Sequence, residues 1–166
     1  IGDSTETIYG YEGDLYNISS KDFEGYENAT NKQYYEKYIQ DNPEYLEEND
    51  VTTVEELMDK LNIEPDIAYI PENYHGTMKI DKQEVVYYYC YPTNVIVEYI
   101  DKITGNKLTE KIKEDDEIIE IDSTQTIKGY EGNKYITSEK IFENYKLIET
   151  PENQNGIMTQ DTIYVK

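Results

Sequence analysis

The sequence predicts an α+β fold with more strand than helix, arranged as two tandem copies of one unit. Three observations support this: a block of sequence occurs twice, tyrosine is abundant, and short segments alternate between apolar and polar residues. The chain has 166 residues, enough for one or two small domains. Because the repeat divides this length, we expect two small domains.

The repeat relates residues 5–26 to residues 124–145, at a constant offset of 119 positions. A second match relates residues 71–78 to residues 151–158 through the pattern Pro-Glu-Asn-x-x-Gly-x-Met. Repeated units of this kind form modular arrays, which serve binding and spacing more often than catalysis. The residues shared by the first pair of segments are Thr5/Thr124, Gly10/Gly129, Tyr11/Tyr130, Glu12/Glu131, Gly13/Gly132, Tyr16/Tyr135, Lys21/Lys140, Phe23/Phe142 and Tyr26/Tyr145.

Composition excludes several classes of partner. The formal net charge is −21, which excludes a nucleic-acid footprint and disfavours anionic membranes. The 19 tyrosines exclude ordinary acidic disorder, which is poor in aromatic residues. A single cysteine, Cys90, cannot form an intramolecular disulfide. The sequence shows no apolar run typical of a transmembrane helix or a signal peptide.

The second copy is the more complete one in sequence. Residues 94–100 alternate as a half-buried strand, residues 101–106 form a turn, and residues 107–112 return as the second arm of a hairpin. The remaining predicted elements are extended segments at 117–121 and 124–127, a short helix at 138–142 with Thr137 or Ser138 as its N-cap, and strands at 145–148 and 163–165.

The first copy begins at the equivalent of residue 120, so it lacks the opening hairpin. We therefore expect the chain to be a fragment of a longer repeat protein. Tyr26 and Pro71 are 45 positions apart, whereas their counterparts are six apart, and the extra residues carry helical periodicity. We predict two helices within residues 31–61, which cover a sheet face or edge left bare in this copy. A strand is predicted at residues 85–91.

The linker to the second copy is predicted to be Pro92-Thr93. Such a short linker indicates a semi-rigid tandem. We expect Tyr11, Phe23 and Tyr26, with their counterparts in the second copy, to be core residues.

The order of these motifs resembles the MucBP (mucin-binding protein) repeat of Gram-positive surface adhesins. The second copy carries the resemblance through Val95, Val97, Tyr99, Ile100, Asp101, Thr104, Gly105, Asn106, Gly129, Tyr130, Gly132, Tyr135, Phe142, Tyr145, Pro151, Asn153, Gly156 and Val165. The first copy carries it through Gly10, Tyr11, Gly13, Tyr16, Phe23, Tyr26, Pro71, Asn73, Gly76 and residues 85–87.

The resemblance implies two tandem β-grasp-like (ubiquitin-like) repeats, at residues 1–91 and 92–166. A helical insertion at about residues 27–69 is foreign to the family unit. The resemblance also implies an extracellular protein, cell-wall-attached or secreted, that contacts host mucin or another glycoprotein. A monomeric module without cofactor, metal, nucleic acid or membrane insertion is expected.

The sequence gives little evidence for catalytic residues. His75 is the only histidine, and its repeat counterpart is Asn155, which indicates a turn residue. Cys90 lies in a tyrosine-rich strand and is interpreted as a small buried hydrophobe. The acidic run at residues 114–117 lacks the spacing of a calcium loop and is interpreted as a solvated hairpin end. We therefore expect no enzymatic activity.

Tyrosines carry the positive binding signal. Tyr87, Tyr88, Tyr89 and Tyr91 lie on one predicted strand, where consecutive side chains face opposite sides. Exposed rings would stack on sugars, which predicts adhesion to mucin or a related glycan. Two alternatives to adhesion remain. In the first, the inserted helices cover the tyrosine rings on the outer face of the strand, and the chain is a non-binding structural stalk. A glycan-processing enzyme would instead need two facing carboxylates in a cleft.

Overall fold

The computed structural model describes residues 4–114 and 116–166, and it has a mixed α+β fold with more strands than helices. The chain divides into two compact units, Ile1–Tyr89 and Cys90–Lys166. The first unit contains β1 (Leu15–Asn17), β2 (Glu27–Asn28), α1 (Asn31–Asp41), α2 (Glu44–Glu48), α3 (Val54–Leu61), β3 (His75–Thr77) and the start of β4 (Tyr89–Cys90). The second contains β5 (Pro92–Val97), β6 (Thr109–Glu114), β7 (Glu117–Asp122), β8 (Gln125–Tyr130), β9 (Lys134–Ile136), β10 (Asn155–Ile157) and β11 (Ile163–Val165).

A three-stranded sheet organises the second unit. Its central strand is β5, which pairs antiparallel with β8 and parallel with β11. Alternate residues of a strand face the same side, so Val95 and Val97 both point into the core and are fully or almost fully buried. The buried core consists of Val95, Val97, Tyr135, Met158 and Val165, with Tyr99, Ile127 and Ile163 packed against it.

One small ladder occurs in both units. In the first, β1 pairs antiparallel with β3 and sets Tyr16 opposite Gly76. In the second, β9 pairs with β10 in the same way and sets Tyr135 opposite Gly156. The glycine leaves room for the tyrosine ring, since a Cβ at Gly156 would lie 3.1 Å from it. We call this arrangement the repeated ladder.

Hydrogen bonds of the repeated ladder are also duplicated. The Tyr16 hydroxyl donates to the Asn73 carbonyl oxygen at 3.2 Å, and the Tyr135 hydroxyl donates to the Asn153 carbonyl oxygen at 3.1 Å. A Gly-Tyr-Glu-Gly turn precedes the first strand of each ladder. The amide of Gly13 donates to the Met78 carbonyl oxygen, and the amide of Gly132 donates to the Met158 carbonyl oxygen. The repeat inferred from sequence is therefore a repeat of structure at this ladder.

The helices of the first unit begin and end where the sequence predicts. Thr30 and Thr53 accept hydrogen bonds from the third residue of α1 and α3, respectively, and so cap two otherwise unpaired helix starts. Asn42 ends α1, and Asn62 ends α3 in the left-handed conformation. The prediction of two helices is corrected to three, because α2 forms between them after the break at Pro43.

Several predicted elements of the second copy are wrong. Residues 138–142 are not helical and residues 145–148 are not a strand. Ile141 is 95% exposed and only Phe142 packs, against Tyr99, so the segment buries too little apolar surface to stabilise so short a helix.

The predicted hairpin forms only at its start. The turn at residues 101–106 is present, Ile100 and Lys107 form an antiparallel bridge, and the Leu108 amide donates to the Tyr99 carbonyl oxygen at 2.8 Å. Beyond this point the return arm is β6, which pairs with β7.

The predicted linker and core residues are also corrected. Pro92 and Thr93 are the first residues of β5 and not a spacer. Of the predicted core residues, Tyr11 and Tyr145 are exposed, and Tyr130, like Phe23, Tyr26 and Phe142, is only half-buried. Identity between the copies therefore marks the turns and the repeated ladder more than it marks burial.

Among the described residues of the first unit, no strand corresponds to β5, and a groove lies between the segments that would flank it. Residues 6–11 correspond to β8, and residues 83–85 correspond to β11, yet neither segment is a strand. Between them is a groove of about 720 Å³. Its lining comes from residues 4–23 and 78–89 and includes no helix residue. We call this feature the strand groove. The predicted covering by the helices is found on the other side of residues 85–89, where Tyr34 of α1 packs against Tyr88.

Candidate functional site

The tyrosines before the end of the first unit lie in two different environments. Tyr87 and Tyr89 line the strand groove, where their hydroxyls donate to the carbonyl oxygens of Ile18 at 2.7 Å and Lys21 at 2.8 Å. Tyr88 faces away and its ring contacts the ring of Tyr34 on α1. The predicted alternation of these side chains is confirmed.

Six tyrosines of the first unit form a chain of ring contacts, which we call the tyrosine cluster: Tyr34, Tyr35, Tyr38, Tyr45, Tyr69 and Tyr88. Tyr34 is at its centre, stacked on Tyr69 with ring centroids 3.6 Å apart and planes 13° apart. Tyr88 lies 5.3 Å from Tyr34 and is 46% exposed. None of the six is fully buried. The cluster is thus an aromatic surface with accessible edges and hydroxyls.

Backbone contacts hold the cluster together. The amide of Ala29 donates to the Tyr88 carbonyl oxygen at 2.8 Å, and the amide of Tyr69 donates to the Ala29 carbonyl oxygen at 2.8 Å. Ala29 is buried and immediately precedes Thr30, the N-cap of α1. The start of α1 is therefore fixed to both loop tyrosines, and this places Tyr34 between them.

The helices supply a rigid base for this surface. Leu57 and Met58 of α3 are buried, as is Ile39 of α1. The ammonium of Lys32 on α1 lies 3.1 Å from a carboxylate oxygen of Glu55 on α3. The two helices thus share a small apolar core, and the tyrosines of α1 remain for the surface.

The hydroxyls of Tyr35 and Tyr69 stay protonated at neutral pH, because the pKa of each is raised. Burial is the largest cause that raises the pKa of Tyr69, and a hydrogen bond with Tyr34 adds to it. Burial also raises the pKa of Tyr35. A neutral phenol both donates and accepts hydrogen bonds. The cluster can therefore offer ring faces and hydroxyl groups to one ligand.

Sequence reasoning found part of this cluster. The helical spacing of Tyr34, Tyr35 and Tyr38 was visible, and Tyr88 was a predicted binding residue. Tyr69 was missed, because it lies in a loop without periodicity. Tyr91, the remaining predicted binding residue, is half-buried beside β5 in the second unit.

The weak catalytic candidates do not form a site. His75 starts β3, and its exposed ring packs edge-on against Tyr74. Cys90 is a free, half-buried cysteine in β4. Within residues 4–114 and 116–166, no group of three or more His, Cys, Asp or Glu side chains could hold a metal ion. Of the acidic run, Asp116 pairs with Lys113 at 2.8 Å, and Asp115 lies outside the described residues.

Two related units in one strongly acidic chain define a repeat-type module. The family model of the MucBP domain matches residues 1–90 and 94–166. The chain therefore belongs to the MucBP domain family. This is a family of mucin-binding adhesion modules found in Gram-positive surface proteins, not a family of enzymes.

No curated protein and no solved structure matches the chain. Across the part of the chain that the structure describes, no helix is long and apolar enough to cross a membrane.

Proposed function

We propose that the chain is an extracellular adhesion module that binds neutral glycans of host mucin or a related glycoprotein through the tyrosine cluster. The observation that carries the proposal is the contact of three partly exposed rings: Tyr34 stacks on Tyr69, and Tyr88 packs against both. Family membership supports adhesion, and the cluster supplies a surface for it.

We also propose that residues 1–91 and 92–166 are β-grasp-like repeats, the first with a helical insertion.

The chemistry of the cluster suits sugars. Tyrosine rings offer flat apolar faces at low entropic cost, and their hydroxyls hydrogen-bond to polar groups of a ligand. Aromatic side chains are also the usual anchors of binding surfaces.

Charge selects among mucin glycans. The net charge of −21 repels sialylated and sulfated chains, while it leaves neutral sugars unaffected. Because salt screens charge repulsion over about 8 Å at physiological ionic strength, added salt should strengthen binding to acidic glycans and leave neutral binding unchanged. Neutral glycans are therefore the proposed ligand class.

The test is a glycan and mucin binding assay on the full chain. Tyr88→Ser removes one edge of the cluster, and Tyr164→Ser is the matched control, because it removes a tyrosine of similar exposure from the second unit. We expect Tyr88→Ser to weaken binding about tenfold or more, which corresponds to about 1.4 kcal/mol. The control should bind as the unmodified protein does.

Two outcomes would contradict the proposal. Absence of binding to every neutral and acidic mucin glycan would favour the spacer alternative. Equal loss in both variants would place the site outside the cluster. A role of Tyr87, Tyr89 and Tyr91 in ligand binding stays a prediction. Single serine variants of these residues test it in the same assay.

A further inference from the structure

Two rings of the tyrosine cluster lie closer together than aromatic pairs usually do. Tyr34 and Tyr69 have ring centroids 3.6 Å apart and planes 13° apart. Aromatic pairs usually keep a centroid separation of about 4.5–7 Å. Tyr38 and Tyr88 lie within that range, with centroids 5.9 Å and 5.3 Å from that of Tyr34. The Tyr34–Tyr69 pair is therefore nearly face to face and stands apart from the other contacts of Tyr34.

The backbone fixes this pair. The loop that carries Tyr69 runs beside the start of α1, where the amide of Asn31 donates to the Ile67 carbonyl oxygen at 2.8 Å. The amide of Lys32 donates to the Pro65 carbonyl oxygen of the same loop at 3.0 Å. Both rings thus come from segments that are hydrogen-bonded to each other. A reaction between the rings therefore needs little further ordering of the chain.

The hydroxyl groups of the two rings lie at the same edge of the stack. Tyr34 and Tyr69 share a side-chain hydrogen bond, and the hydroxyl is the only polar group of a tyrosine side chain. Such a bond brings the two oxygens within about 3 Å of each other. Because the rings are nearly parallel, their ortho carbons, which adjoin the hydroxyl-bearing carbons, then lie beside each other. Neither side chain is fully buried, so a dissolved oxidant has access to the pair.

We propose that Tyr34 and Tyr69 form an intramolecular oxidative cross-linking site, at which hydrogen peroxide and a haem peroxidase join the two rings as dityrosine. The peroxidase takes one electron from each phenol, and each hydroxyl releases its proton. The unpaired electron of each phenoxyl radical is shared with the ortho carbons, where a carbon–carbon bond forms between the rings. The hydrogen on each bonded carbon then moves to the oxygen and restores the hydroxyl. Two hydrogen atoms leave in total, and one peroxide is reduced to two waters.

The cross-link goes beyond glycan binding, since it forms whether or not the cluster holds a sugar. Only its setting depends on the proposed extracellular location, because extracellular surroundings are oxidising. The bond clamps α1 to the loop that carries Tyr69 and joins two residues that are 35 positions apart in the sequence. A covalent link of this kind restricts the unfolded chain, as a disulfide does, and so stabilises the first unit.

The test oxidises the full chain with hydrogen peroxide and a haem peroxidase. The protein is kept dilute and at low ionic strength, where the net charge of −21 keeps separate copies apart. We expect dityrosine fluorescence from a product that stays monomeric on a denaturing gel and has a mass lower by two hydrogen atoms. Trypsin should release residues 33–37 linked to residues 61–79, and fragment masses should place the bond at Tyr34 and Tyr69.

Phenylalanine variants identify the pair without removing the stacked rings. Tyr69→Phe removes only the hydroxyl from which the radical forms, and it should lower the yield of cross-linked monomer about tenfold or more. Tyr35→Phe is the matched control, because Tyr35 belongs to the same cluster and lies in the same tryptic peptide as Tyr34. The control should give a yield close to that of the unmodified protein.

Thermal unfolding of the purified cross-linked monomer measures the clamp. The midpoint of the first unit should rise by about 5 °C or more relative to untreated protein, because the link shortens the free chain between α1 and the loop. Tyr69→Phe treated in the same way should show no such rise. An unchanged midpoint in the mapped product would contradict the stabilising role of the link.

Three results would overturn the proposed site. Cross-linked oligomers without cross-linked monomer would show that only rings of separate molecules react. A bond mapped between Tyr34 and Tyr38, or between Tyr34 and Tyr88, would show that the close stack does not select the pair. Equal yields of cross-linked monomer from Tyr69→Phe and from the unmodified protein would show that Tyr69 takes no part.

Discussion

Met158 and Met78 provide a matched pair that isolates the effect of the central strand β5. The two residues occupy the same place in the repeated sequence, and their amides donate equivalent hydrogen bonds of 2.8 Å to Asn133 and Asp14, respectively. Met158 is buried under Val95 and Val97, whereas Met78 is half-buried at the strand groove. Substitution by alanine removes three heavy atoms in each case.

The expected cost of Met158→Ala follows from its burial. Removal of three buried heavy atoms costs about 2.4 kcal/mol in transfer free energy, at roughly 0.8 kcal/mol for each methylene equivalent. The cavity adds to this, so the total should be about 3 kcal/mol. Both sulfurs pack equally closely on a glycine, since a Cβ at Gly129 would lie 2.6 Å from the Met158 sulfur and a Cβ at Gly10 would lie no farther from the Met78 sulfur. The two sites therefore differ in solvent exposure and not in this contact. Met78→Ala should cost about 1 kcal/mol, because solvent already reaches that side chain.

Urea denaturation of the full-length variants measures both costs. Amide hydrogen exchange assigns each loss to its unit, because the two units can unfold separately. Equal costs for the two substitutions would refute the reasoning, and so would a cost below 1 kcal/mol for Met158→Ala. Either result would mean that β5 does not form the core that its burial implies.

Three further predictions concern ion pairing and helix ends. Lys107 at 2.5 Å and Lys166 at 2.9 Å hold the pKa of the 92% buried Glu98 below its usual value, with the hydrogen bond to Lys107 as the largest cause. A depressed pKa contributes stability that is present above about pH 4.5 and is lost as pH falls through the folded-state value. Glu98→Gln should therefore cost about 1–2 kcal/mol at pH 7 and flatten the acid limb of the thermal unfolding profile; an unchanged acid limb would count against the pairing. Thr53→Ala should cost about 1 kcal/mol in urea melts, because it removes the N-cap hydrogen bond of α3. Asn62→Gly should be neutral or stabilising because Asn62 has φ 55°, whereas Asn62→Ala should destabilise, and the reverse order would show that this conformation is not needed.

The sequence predicted what depends on local chemistry. The offset of 119 residues located the repeated ladder, since matching glycines and tyrosines require matching turns and close contacts. Caps and hydrophobic periodicity located α1 and α3, because both act within one or two helical turns. The missing hairpin of the first copy was also visible, because alignment of the copies needs no structure.

Features that depend on distant partners were not predictable. Residues 85–88 have strong β propensity but no central strand to pair with, so propensity alone gave a strand that does not form. The burial of Tyr135 and Met158 depends on Val95 and Val97, which come from a strand that ends 38 residues before Tyr135. The tyrosine cluster depends on a loop residue, Tyr69, which only the fold brings to α1.

Amide hydrogen exchange of the free protein, read residue by residue by NMR, tests the central claim most directly. The claim is that both units share the repeated ladder and that residues 6–11, unlike β8, pair with no strand among the described residues. Amides of β8 that pair with β5 should exchange slowly, near the rate of global unfolding, while the equivalent amides of residues 6–11 should exchange close to the rate of an unpaired chain. Equal and strong protection of both segments would contradict the claim.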